Sequence, residues 1–167
     1  MRVNRREVDY WLSQANADKA APDQKVFFAD AKAAFTPYIR AGRFAPFDGN
    51  TTLDPGVRTV ALYGHTPGHT GYMVESDGEK MLIWGDVIHV PAVQFANPAV
   101  TIDFDWNGNG ARATRERVLA QAVRNSWLIA GAHIAFPGLG HVVKDDSGYR
   151  WIPVVYTDIH SAASKRP

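Results

Sequence analysis

The sequence predicts an α/β chain of the α+β kind, with a helical lead-in followed by strands and one further helix among them. Three observations carry this. Between Asp23 and Arg40, apolar residues recur at helical spacing through Phe27, Ala31, Ala34, Phe35 and Tyr38. From Val57 the period shortens, and short apolar runs alternate with turn signals such as Ser76-Asp77-Gly78-Glu79 and Asp145-Asp146-Ser147-Gly148. Three of those runs end shortly before a residue that can bind a metal: His65 in Gly64-His65-Thr66-Pro67-Gly68-His69-Thr70-Gly71, Asp86 in Trp84-Gly85-Asp86, and His133 in Ala130-Gly131-Ala132-His133.

In chain order, Glu7 to Gln14 predicts a short helix with Val8, Trp11 and Leu12 on one face. Ala15 to Pro22 is small and polar, a linker. The helix over 23–40 takes Asp23 as N-cap, and Pro37 should kink it or end it early. Gly42, Asp48-Gly49-Asn50 and Pro55-Gly56 mark a looped connection. Val57 to Leu62 is a strand, Gly64 to Thr70 a loop, and Gly71 to Glu75 a second strand. Past the turn at Ser76, Lys80 to Trp84 is a mostly apolar strand, consistent with burial on both faces. Val90 to Asp105 is irregular, broken by Pro91 and Pro98, and Asn107-Gly108-Asn109-Gly110 is another loop. A helix over 111–125 follows, with Ala111, Val118, Leu119, Ala122 and Val123 as its apolar stripe. Trp127 to Ala130 is a short buried strand, and His141 to Lys144 with Tyr149 to Val155 is a closing hairpin. The tail from Thr157 to Pro167 is polar and frayed.

The length, 167 residues, fits one domain, and 46% hydrophobic residues suffice for a core. With 18 basic against 17 acidic residues there is no global field to draw nucleic acid or an anionic membrane, so neither is an expected partner. Arg5 and Arg6, and the group Arg112, Arg115 and Arg117, read as solvated helix faces. The absence of cysteine excludes disulfides, thiolate metal sites and cysteine nucleophiles, and leaves the compartment open. No apolar run approaches the roughly 18 residues of a membrane span. Met1 to Arg6 is not followed by a signal-peptide core, so the localisation stays unknown, with the cytoplasm only as the default.

Two imidazoles and one carboxylate at strand ends suit zinc or a similar first-row metal. His65 stands among two glycines, a proline and threonines, in a loop of fixed geometry. Asp86 alone is equally a turn residue or a ligand; beside His65 and His133 the ligand reading wins. His133 follows an apolar run, and an imidazole there needs a partner. His69 lies four residues past His65, but Pro67-Gly68 rules out the helix a paired-ligand site requires, so it reads as a structural donor pinning the loop. His89 either donates to a substrate oxygen, which makes it the catalytic candidate, or packs in its loop. His141 and His160 read as structural or exposed, and Asp103 and Asp105 as loop residues that form no acid/base pair.

These motifs together resemble the second half of the metallo-β-lactamase-fold hydrolases, closest to the branch of methyl-parathion-hydrolase-like enzymes and acyl-homoserine-lactone lactonases. Gly64-His65-Thr66-Pro67-Gly68-His69, then Gly85-Asp86, then Gly131-Ala132-His133 carry the likeness, and the run from Gly131 to His141 points to that branch. The resemblance spans about Asn4 to Tyr156. It implies the C-terminal half of a four-layer αββα sandwich: a helical lead-in over about 1–45, the second sheet with its helix over 57–156, and a tail over 157–167. It implies a site of two zinc ions (Mn2+ or another divalent metal being an alternative). Asp86 would bridge them, His65 serving one and His133 the other. It also implies hydrolysis of a lactone, ester or phosphotriester by metal-bound hydroxide.

Members of that family carry an H-x-H-x-D-H motif ahead of this region. This chain has none; its one close histidine pair is His65 and His69. The expectation is a truncated gene, an internal start at Met1, or a fragment, inactive alone. An apolar sheet face should then lie uncovered, favouring self-association or pairing with a missing N-terminal half. The alternative is a non-catalytic fragment or pseudo-enzyme that keeps the fold and at most one weakly bound metal.

Overall fold

Two short strands and three helices form the front of the chain. The computed structural model describes residues 1–155, so the expected frayed tail from Thr157 lies outside the described residues. β1 (Arg2–Asn4) pairs in parallel with β2 (Ala45–Phe47), and α1 (Arg5–Trp11), α2 (Gln14–Lys19) and α3 (Lys25–Arg40) come between them in sequence. Asn4 caps α1 by accepting from the Arg6 N–H. The expected linker at 15–22 is largely α2, because Ser13 supplies an N-cap acceptor to the Asn16 N–H. Asp23 is not the cap of α3; Gln24 holds that position without a side-chain bond. Nor does Pro37 end α3, which runs to Arg40. The buried edge of α3 is Phe28 and Phe35, while Phe27 and Tyr38 stand exposed, so the expected stripe is narrower and shifted. The cause is local packing: Phe28 meets Tyr10 and Trp11, and Phe35 meets Phe44.

The rest is a seven-stranded sheet whose spatial order follows the sequence: β3 (Thr52–Asp54), β4 (Val57–Ala61), β5 (Thr70–Ser76), β6 (Glu79–Gly85), β7 (Leu128–Gly131), β8 (Leu139–Asp145) and β9 (Gly148–Pro153). β3 lies within the expected looped connection. Asp77 and Gly78, both at positive φ, make the two-residue turn from β5 to β6. β6 and β7 are parallel, and parallel neighbours need a crossover. That crossover holds a short helix, α4 (Pro91–Gln94), inside the stretch expected to be irregular, and the long helix α5 (Gly108–Asn125). α5 begins before Ala111 because Asn107 caps it, accepting from the Gly110 N–H; the expected loop at 107–110 is the helix start.

The core lies on one face of the sheet. Val60, Leu62, Met73, Leu82, Trp84, Ile129 and Val142 pack there with Val118, Leu119 and Ala122 of α5. The opposite face, carrying Tyr72, Val74, Met81, Ile83, Leu128, Ala130, Leu139 and Ile152, has none of these residues buried. β6 is therefore buried on one face only, contrary to the sequence expectation: Leu82 and Trp84 are fully buried while Ile83 is 39% exposed.

Strand direction positions the site. β4 and β6 are each antiparallel to β5, so they run the same way, and β7 is parallel to β6. The carboxyl ends of β4, β6 and β7 thus share one edge of the sheet, and His65, Asp86 and His133 leave from it.

Candidate metal centre

The loop between β4 and β5 is fixed on three sides. At Gly64, φ is +136°, and a Cβ there would sit 2.1 Å from the Ala111 nitrogen, so only glycine lets α5 come this close. Two backbone bonds strap the loop to the segment before α5: Trp106 N–H to His65 O at 3.0 Å, and Asn107 N–H to Gly64 O at 2.9 Å. From the other side the Gly68 N–H donates to the Glu7 carboxylate of α1.

His69 uses both ring nitrogens structurally. Nδ1 is 3.0 Å from Leu62 O, and Nε2 accepts from the Asp86 N–H at 3.1 Å. A neutral ring protonated at Nδ1 satisfies both bonds. Burial lowers its pKa below the ordinary value, in keeping with that neutral state.

The Asp86 carboxylate divides between two imidazoles. Oδ1 lies 3.0 Å from His133 Nε2, and Oδ2 lies 3.8 Å from His65 Nε2. His133 holds φ at +59°, a left-handed conformation costing a non-glycine residue about 1 kcal/mol or more. Such strain persists where the surroundings fix it. Here the Ala132 N–H donates to Gly85 O, tying the two strand exits together. The His89 ring lies between the others, 4.5 Å from His65 and 4.6 Å from His133 by centroids. Its backbone N–H donates to the buried Gln94 side chain. Burial, and then the two neighbouring imidazoles, push the His89 pKa down to about 4, so the ring is neutral near pH 7. Its Nδ1 is buried without a hydrogen-bond partner among the described residues.

Two residues gain a role that the sequence did not disclose. Asp105, read as a loop residue, has a side chain only 1% exposed, with Oδ1 3.1 Å from His65 Nδ1. Arg115, read as part of a solvated helix face, is also buried. It lies on the inward side of α5, in the same stripe as Ala111, Val118 and Leu119, and donates to the carbonyls of Val87, Pro98 and Val100. A signal was present: an arginine four residues after Ala111 and three before Val118 falls on the apolar stripe. His141 is structural, with Nδ1 3.1 Å from Trp127 O, and Asp103 is exposed.

This donor set fits a divalent ion. One ligand atom each from His65, Asp86 and His89 lies within 4.8 Å of the others, and His133 abuts Asp86. His69 has both ring nitrogens on backbone groups, and His141, with Nδ1 on Trp127 O, lies outside this group. Among the described residues that leaves three imidazoles and one carboxylate, about the complement of one tetrahedral zinc and too few to enclose two. Nitrogen and oxygen donors without thiolate suit zinc or manganese.

A sheet edge that collects imidazoles around a shared carboxylate is a recurrent way of building a metal centre, and here the family is shown directly. The chain belongs to the metallo-beta-lactamase superfamily, whose family model matches residues 3–133. It is similar to the hydrolase AbOPH of the beta lactamase superfamily, with 31% identity and a TM-score of 0.86. It is also similar to AidC, a dizinc quorum-quenching lactonase solved with the product N-hexanoyl-L-homoserine, with 26% identity and a TM-score of 0.80. Each alignment covers 94% of this chain and 55% of the other, so the chain spans little more than half the length of either. An N-acyl homoserine lactone hydrolase with product at its catalytic metal centre has a TM-score of 0.55 at 16% identity, covering 99% of this chain and 49% of that one; this likeness is one of fold. No curated protein matches the chain.

Proposed function

We propose that this chain supplies one wall of a metal-dependent hydrolase centre acting on a lactone, ester or organophosphate. The observation that carries this reading is the Asp86 carboxylate, whose two oxygens face two imidazoles from separate strand ends. His65, Asp86 and His133 would hold the metal, zinc or manganese by donor type. The bound metal would supply Lewis-acid polarisation of the oxygen under attack and activation of water at neutral pH. Asp86 stands between the two imidazoles, with one carboxylate oxygen toward each. His89, neutral and beside them, would hold or orient a substrate oxygen, or complete the donor set. His69 holds the Asp86 backbone in place and touches no reacting atom. The AbOPH and AidC likenesses support hydrolysis as the reaction class and favour lactones and related esters as substrates.

The count of donors supports a second element of the proposal. One ion's worth of ligands does not make a two-metal centre, so the 167-residue chain alone would bind one metal and turn over little or nothing. Its open sheet face would meet either a second copy or the half of the fold that carries H-x-H-x-D-H. The test is hydrolysis of an acyl-homoserine lactone, an aryl ester and a phosphotriester with zinc or manganese, by the chain alone and joined to such a half. Activity is expected in the joined form and should vanish in His65→Ala and Asp86→Ala. Metal-dependent turnover by the chain alone, lost in His133→Ala, would contradict the incomplete-site reading. No turnover in either form would contradict the hydrolase reading.

A further inference from the structure

We propose that Asp105, held by Arg115, is the positioning residue that decides which nitrogen of His65 faces the metal, an inference that rests on the metal-site reading of His65 above. The Asp105 carboxylate is almost wholly buried, and a buried carboxylate needs donors on both oxygens. Oδ1 faces His65 Nδ1 at 3.1 Å. Oδ2 accepts from the Ile102 N–H at 3.2 Å and lies 3.9 Å from Arg115 Nη2, an ion contact rather than a hydrogen bond. With the Ile102 N–H and the Arg115 guanidinium both at Oδ2, Oδ1 is the acceptor left for His65, an arrangement that puts the ring proton on Nδ1. Nε2 then keeps its lone pair, and Nε2 is the atom turned toward Asp86.

Arg115 makes this arrangement a frame rather than a single bond. Its Nε donates to Val87 O at 2.8 Å, one residue past Asp86, and Nη1 donates to Val100 O at 2.7 Å and Pro98 O at 2.9 Å. One buried guanidinium from α5 therefore ties the exit of β6 to the segment that carries Asp105. The Trp106 and Asn107 backbone bonds hold the same segment against the His65 loop. A carboxylate that fixes the tautomer of a ligand imidazole raises its basicity and restrains its ring, and losing such a partner weakens metal affinity by about 10–100-fold.

The alternative is that Asp105 merely neutralises Arg115. Asp105→Asn separates the two. Ile102 N–H and Arg115 both require an oxygen on their side of the residue. The amide NH2 is then left facing His65 Nδ1, which must accept, and the ring proton moves to Nε2. Ring-nitrogen NMR of the metal-free chain at alkaline pH reads this directly, and zinc titration calorimetry reads the consequence. The expected result is a wild-type His65 protonated at Nδ1, a shift to Nε2 in Asp105→Asn, and zinc affinity lower by about 10–100-fold. Asp103→Asn, at an exposed neighbour, should change neither. The inference is overturned if wild-type His65 is protonated at Nε2, which needs no variant to fold. It is equally overturned if a folded Asp105→Asn keeps the wild-type tautomer and zinc affinity. If wild type binds no zinc but the tautomer shifts as stated, the metal-site reading fails while the orienting role of Asp105 stands.

Discussion

His69 shows how much of this site is held by a residue that does no chemistry. Its ring joins the end of β4 to the backbone of Asp86 through Leu62 O and the Asp86 N–H. Removing it leaves both groups unpaired in a largely buried place, so His69→Ala should cost about 1–3 kcal/mol of stability. The same bond fixes a pH dependence. His69 has a folded-state pKa lowered from 6.5 by burial, and that of His89 is lowered to about 4. The unfolded chain therefore takes up protons first as the pH falls. Their contribution to stability is fully present above about pH 6.5 and is lost as the pH drops through the lowered folded values. Denaturant melts of the metal-free chain should show lower stability at pH 5 than at pH 7.5, with a smaller difference in His69→Ala. Equal stability at the two pH values would contradict the neutral, bonded ring.

At the scale of elements, the strands from β4 onward and the helices α1, α3 and α5 were legible, while β1, β2, β3 and α2 were not. β4 to β6 follow apolar runs bounded by turn signals, and the expected bounds fall within two residues of those found. β1, β2 and β3 have three residues each, too short for any period to show. α2 rests on the Ser13 cap, in a stretch with no apolar stripe to announce it. The three strand-end residues were visible because each follows its strand closely. Asp105 was not, because its role depends on tertiary approach: its pairing with His65 spans 40 positions, whereas Arg115 left a signal in its place on the apolar stripe of α5. The open face of β6 carries its own prediction. Ile83 is 39% exposed among partly exposed apolar neighbours, a patch that favours association. Sedimentation velocity should show concentration-dependent association of the chain. Ile83→Lys should reduce it while changing stability by about 0.5 kcal/mol or less. A monomer at all concentrations would mean that the face is no docking surface.

For the whole molecule, the sheet acts as a jig. Three strands running in one direction bring residues 65, 86 and 133 to a common edge, and α5 braces that edge through Gly64 on one side and Arg115 on the other. Everything proposed about function depends on whether that edge binds a metal. Titration calorimetry of the chain with zinc, stripped of metal beforehand, tests this most directly. One equivalent should bind, weakly compared with a closed two-metal centre. Asp86→Ala should abolish binding and His133→Ala should weaken it, while His141→Ala should leave it unchanged. Absence of zinc binding by the folded wild-type chain, or tight binding of two equivalents, would contradict the account.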